Sequence, residues 1–281
     1  MAETEKPKPA GPPASARARR GESGSLLTMK KRIFLHFALL LIVLAAAAQA
    51  QVVVVSSASF RQNQPVAAGS IATAFGTFPG VEARKAETTP LPKELAGVRV
   101  LVSGIECPLF YVSNSQINFQ VPAALQPGIY EVRVTTGSSA QIGAVSVINA
   151  APGLFTFFNT GNPPQSAALN EDGVTVNSES TPERRGRLVT LFGTGPGRLT
   201  QVLPDGVPTP LSPLIRTVSE PVVYIAGVQA KVEFSGLTPT AVGLWQINVR
   251  IPDFDFIRGR VPVVVFMDGV DSNEVSIYVA P

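Results

Sequence analysis

The chain has 281 residues, of which 45% are hydrophobic and only 15% charged, with 24 Gly and 25 Pro. That is too apolar for a disordered protein and too rich in turn formers for a helical one, and two domains of roughly 100 residues fit the length. The formal charge of +3 invites a nucleic-acid reading, which the placement of the charges removes.

Residues 1–28, "MAETEKPKPAGPPASARARRGESGSLLT", are rich in Pro, Ala and charge and show no apolar periodicity. They read as a disordered preface, or as a mis-assigned start with Met29 the true first residue, and belong outside the fold. Residues 29–50 carry a basic cluster (Lys30, Lys31, Arg32), an apolar run from Ile33 to Ala48 and the small-x-small sequence Ala48-Gln49-Ala50. Those are the parts of a secretory signal peptide, and cleavage after Ala50 leaves Gln51 as the mature N-terminus. An uncleaved anchor is the lesser reading, because the sixteen-residue run is short for a span of ~20 residues. No membrane contact is then expected after cleavage. Eight of the 23 Lys and Arg and three of the 20 Asp and Glu lie in residues 1–50, so the remainder holds 15 against 17 and a net charge of −2. The case for a nucleic-acid partner goes with the removed segment. So does the only histidine, His36.

From Gln51 onward, short apolar segments alternate with Gly, Pro, Asn and Asp. Val98, Val100 and Val102 alternate with Arg99 and Leu101; Tyr130, Val132 and Val134 alternate with Glu131, Arg133 and Thr135. Further on, Trp245, Ile247, Val249 and Ile251 alternate with Gln246, Asn248 and Arg250. Period two means strands with one buried face. "SGIE" (103–106) and "AGVQ" (226–229) read as tight hairpin turns. About seven strands in each ~100 residues, without helical periodicity, predict an all-β chain of two tandem β-sandwiches. Their expected bounds are 51–155 and 166–281, with a linker at 156–165. Pro163-Pro164 interrupts regular structure there, and Phe155, Phe157 and Phe158 are expected to pack between the domains.

The second half repeats the first. "GSIATAFGTFPG" (69–80) returns as "GRLVTLFGTGPG" (186–197), "VRVLVSGIECPLFY" (98–111) as "PVVYIAGVQAKVEF" (221–234), and "QINFQVP" (116–122) as "QINVRIP" (246–252). "GIYEVRV" (128–134) matches "GRVPVVV" (259–265), and "VSVINA" (145–150) matches "VSIYVA" (275–280). An ordered series of this kind marks a duplicated domain. Cys107 aligns with Ala230 and reads as a small buried residue, and Gly193 and Gly195 read as turn glycines.

"GRLVTLFGTGPG", "VVYIAGVQAKVEFSG", "WQINVRIP" and "SNEVSIYV" resemble the immunoglobulin-like IPT/TIG domain. "SASF", "AAGSIATAFGTFPG", "LPKELAGVRVLVSGIECPLFYVSNSQINFQVP", "APGLF" and "ALNEDGVTVNS" together resemble the uncharacterised Solibacter-type C-terminal domain of secreted acidobacterial proteins. The resemblance covers nearly all of residues 53–281. It implies an extracellular, Ig-like, non-catalytic module.

The residues argue against chemistry. With no His and one Cys after cleavage, neither a Ser-His-Asp triad nor a zinc site can be built. "GTGPGR" (193–198) lacks the Lys of a phosphate loop, and no cofactor is expected. "DFDF" would place Asp253 and Asp255 on one face if extended, and Asp268, Asp271, Asn273 and Glu274 could face a calcium ion, although Asp-Gly and Ser-Asn also suit a hairpin loop. Gln116, Asn118, Gln246 and Asn248 recur in both copies, which points to a structural duty such as bonding loop backbone. The informative contrast is on the outward face. Where the first copy has Arg99, Leu101, Glu131, Arg133 and Thr135, the second has Val222, Tyr224, Pro262, Val264 and Phe266, with Tyr278 on the last strand. A contiguous apolar patch marks a binding surface, unless it packs on the first domain or the register is off by one. The expected role is a secreted, non-catalytic binding or adhesion module contacting envelope polysaccharide or a partner protein. The alternatives are a structural, self-assembling envelope spacer and, third, a carboxylate-dependent hydrolase.

Overall fold

The computed structural model describes residues 51–137, 139–158 and 161–281, and their regular structure is β-strand. The expected preface, the signal segment and Ala50 lie outside the described residues; Gln51 opens the first strand. Among the described residues no helix is long and apolar enough to cross a membrane.

In the first sandwich one layer runs Arg84–Lys85, Leu109–Val112, Gln116–Gln120, Ile71–Phe75. The other runs Ser139–Ile148, Gly128–Thr136, Val98–Val102, Ile105–Glu106. Strand Gln51–Ser56 belongs to both: Gln51–Val53 pairs in parallel with Ile142–Ala144, and Val53–Ser56 pairs antiparallel with Phe75–Ala72. By changing partners midway it closes that corner of the sandwich. The alternation acts as expected. Val98, Val100 and Val102 are fully buried in one core with Val132, Ile117 and Phe119, while Arg99 faces out.

The second sandwich repeats the plan. Gly153–Leu154, Leu188–Thr194 and Trp245–Arg250 form one layer; Val222–Ile225, Gly259–Met267 and Val275–Ala280 form the other, extended by Gln165–Ser166 and Thr156–Phe158. Here Val228–Leu237 changes layers, its first residues pairing with Val223–Ile225 and the rest with Trp245–Arg250. Trp245, Ile247, Val249, Val263 and Ile277 are fully buried, and the Trp245 indole N–H donates to Ser235 Oγ at 3.0 Å. Both expected hairpin turns have two positive-φ residues, Ser103-Gly104 (φ 52° and 77°) and Ala226-Gly227 (φ 51° and 77°). That is the pattern of the primed turns whose twist suits a hairpin.

The stretch expected as a linker is different. Thr156–Phe158 pairs with Gln165–Ser166, which pairs with Val275–Ala280, so these two strands form an edge of the second sandwich. Phe157 is 44% exposed and does not fill a joint between domains. The crossing lies earlier, at Asn149–Pro152, and it explains the glycines of the second phrase. A Cβ on Gly195 (φ +74°) would overlap the Ala151 carbonyl, and one on Gly193 would stand 2.5 Å from the Gly153 carbonyl oxygen. Chain approach as well as turn geometry therefore demands glycine here. In the first phrase the place of Gly195 is taken by Phe78, whose ring is fully buried in its own core and covers Gly76.

Polar contacts join the sandwiches. Thr194, fully buried, accepts the Ile71 N–H at 2.8 Å and donates to the Gly243 carbonyl at 3.1 Å. From the long loop before Val222–Ile225, the Gly206 N–H donates to Gln120 Oε1 at 2.6 Å and its carbonyl accepts the Leu91 N–H at 2.9 Å.

Candidate functional site

The outward face of the second sandwich is positioned by strand register. Val222 lies opposite Phe266 and Tyr224 opposite Val264. The corresponding pairs of the first sandwich are Arg99 opposite Thr135 and Leu101 opposite Arg133, so the two faces match residue for residue. On the first face Arg99 bridges Glu94 (2.6 Å) and Glu106 (3.1 Å), and Arg133 pairs with Glu131 (3.0 Å). On the second face the Tyr224 and Phe266 rings meet edge to face, with centroids 5.9 Å apart, and Val222 and Phe266 are each 37% exposed. Beyond the area they cover, such ring pairs contribute ~0.5–1.5 kcal/mol, which favours this mutual arrangement.

Tyr278 sits apart from this group. It lies opposite Arg260, four residues along the strand from Val264, or roughly 13 Å at ~3.3 Å per residue. Its ring is 5.9 Å from the Arg260 guanidinium, and the two share an open depression of about 430 Å³ with Glu179 and Pro182. The structure thus brings together Val222, Tyr224, Val264 and Phe266, and leaves Tyr278 at the far end of the same sheet.

The acidic clusters are differently employed. Asp268-Gly269 is a two-residue hairpin turn (φ 49° and 82°) between the paired residues Met267 and Val270. Asp271 faces Arg61 of the first sandwich at 3.6 Å. Asn273 clamps the Leu154 backbone, accepting its N–H at 2.8 Å and donating to its carbonyl at 2.9 Å. Glu274 is exposed. Among the described residues no three His, Cys, Asp or Glu side chains are grouped to hold a metal ion. "DFDF" is a turn rather than an extended strand: Pro252 supplies no ladder N–H, and the Ile257 N–H donates to the Phe254 carbonyl at 2.9 Å. Asp255 Oδ1 accepts from Arg185 at 2.6 Å, and that hydrogen bond holds its carboxyl below the usual carboxylate range. The exposed Phe254 and Phe256 rings stack with centroids 5.6 Å apart, a feature that sequence patterning hides because it resembles an amphipathic strand.

Gln116, Asn118, Gln246 and Asn248 have a structural duty, with partners other than those expected. Asn118 Oδ1 accepts from Gln116 Nε2 (2.9 Å) and Thr73 Oγ1 (3.1 Å). Asn248 Oδ1 accepts from Gln246 Nε2 (2.9 Å) and Thr190 Oγ1 (3.2 Å). Each is a side-chain triad across two neighbouring strands, and among the described residues loop backbone takes no part.

Residues 93–157 match the model of the IPT/TIG domain. No match was found among curated proteins. Among solved structures, the chain is similar to the Bacteroides ovatus mixed-linkage glucan utilization locus protein SGBP-B in complex with a mixed-linkage heptasaccharide, at 12% identity and TM-score 0.32 over 77% of this chain and 42% of that one. It is also similar to the plexin A4 extracellular region (12% identity, TM-score 0.26, 83% of this chain and 19% of that one) and to the tandem Ig repeats of Dlar (9%, 0.22, 82% and 98%). The chain thus spans less than half the length of the first two. At such identities and TM-scores these likenesses carry no argument about role.

Proposed function

We propose that the protein is a secreted, non-catalytic binding or adhesion module whose contact surface is the outward face at Val222, Tyr224, Val264 and Phe266, with Tyr278 as its far end. The partner is an envelope polysaccharide or a surface protein. The Tyr224–Phe266 pair carries this reading: rings stand where the matching face of the first sandwich is laced with ion pairs. Exposed aromatics supply contact area at low entropic cost and stack on apolar faces, sugar rings included. Export through residues 29–50 and the finer resemblance to the Solibacter-type C-terminal domain belong to the same proposal.

The test is retention of residues 51–281, which hold both cores, on insoluble polysaccharides and isolated cell envelopes. Tyr224→Ala with Phe266→Ala is expected to abolish retention, since truncating an aromatic hot spot costs about 2 kcal/mol or more. Retention unchanged in the double variant would overturn the site. Absence of retention with concentration-dependent self-association would replace the reading with that of a structural spacer.

A further inference from the structure

The two sandwiches enclose a cleft of about 380 Å³ in which the Tyr224 face takes no part. Leu125, Pro127 and Ile148 of the first sandwich form one wall; Leu199, Val202 and Leu203, from the loop after Leu188–Thr194, form the other. Interdomain clefts of about 300–1,000 Å³ are characteristic small-molecule sites. Among the described residues the lining has no aromatic side chain, so it offers no platform for a sugar ring. Gln120, which also lines it, is already engaged by Gly206 (2.6 Å) and by the Gly69 carbonyl (3.5 Å).

Among the described residues one charged side chain lines the cleft, Arg198. It is exposed, and among the described residues its guanidinium makes no hydrogen bond or ion pair. Asp268 approaches the same segment, its Oδ2 3.5 Å from where a Gly197 Cβ would stand, but it does not line the cleft. Val202 also lines the cleft and is 68% exposed, so an apolar side chain and a cation without a partner among the described residues share it. We propose that this cleft binds an aliphatic carboxylate, with the hydrocarbon chain between the leucine and valine walls and the head group on Arg198. Two observations select that class: the walls reward hydrocarbon burial, and a single fork of donors suits one carboxylate.

The experiment is calorimetric titration of residues 51–281 with hexanoate, octanoate and octan-1-ol. Octanoate should bind saturably and about fifteenfold tighter than hexanoate, at about fourfold per methylene. Octan-1-ol, lacking the charge, should bind about tenfold more weakly than octanoate. Arg198→Gln should weaken octanoate by about the same factor and leave octan-1-ol unchanged; Val202→Asp should weaken both. Both positions are exposed, so neither change threatens the fold. Equal binding of acid and alcohol, equal binding by parent and both variants, or no saturable heat would each overturn the proposal. The Tyr224/Phe266 double variant should bind octanoate as the parent does, which keeps failure of the outward face distinct from failure of the cleft.

Discussion

Cys107 shows how much a single residue type discloses. It occupies the place of Ala230 in the second repeat, is fully buried, and is the free cysteine of the described chain. Burial pushes its thiol up to about 12, so the folded protein keeps it protonated and unreactive. Ellman's reagent at pH 8 should label it only after denaturant is added. Because the folded thiol titrates higher than the unfolded one, stability is unaffected below the unfolded value and falls as pH rises past ~8.5. Cys107→Ala should remove that alkaline slope in urea titrations at pH 8–10.5 while leaving the fold intact, as Ala230 does by example. Repeat alignment makes such a residue legible, since one copy supplies the null substitution for the other. The acid pair of "DFDF" was not legible. Its alternation is strand-like, but Pro252 and the burial of Ile257 bend the segment into a turn, which period two cannot reveal.

At the scale of elements, period two identified the buried faces because each strand shows one face to a core and the other to solvent. Val98, Val100 and Val102, and Trp245, Ile247 and Val249, are all fully buried. What lies between strands was harder to read. The Thr–Asn–Gln triads join residues far apart in sequence, so recurrence announced a duty without naming the partner. In each triad the Asn oxygen is used only as an acceptor. Asn248→Ala should therefore cost about 1 kcal/mol in urea unfolding, whereas Asn248→Asp should retain most of that stability at pH 7. A carboxylate accepting two hydrogen bonds has its folded pKa depressed, so the rescue should be present above the unfolded value of ~3.9 and vanish as pH falls below it. Equal loss in both variants at pH 7 would show that the triad is incidental.

For the whole molecule, the joint was the least legible part. Its contacts come from loops whose residues have no periodicity: Thr194 reaching Ile71 and Gly206 reaching Gln120 and Leu91. Phe157, expected to pack between the domains, lies exposed in the edge strand Thr156–Phe158 instead, because apolar composition alone does not say which surface an aromatic covers. Thr194→Val keeps the volume but strips the Ile71 N–H of its acceptor, at a cost of about 1–3 kcal/mol. The expected result is a lower urea midpoint with faster hydrogen exchange at Ile71, and an unchanged Ile71 amide would show that the joint is held elsewhere. The divergence of the duplicated phrase gives this joint a polarity. Gly195 makes way for the chain arriving at Ala151, while the Phe78 ring fills the matching space of the first sandwich. A sandwich grafted ahead of the first could not seat its exit strand in the same manner, whereas one with a Gly-x-Gly phrase could in principle follow the second. Phe78 is in this sense a capstone, and extending the array upstream would first require its removal.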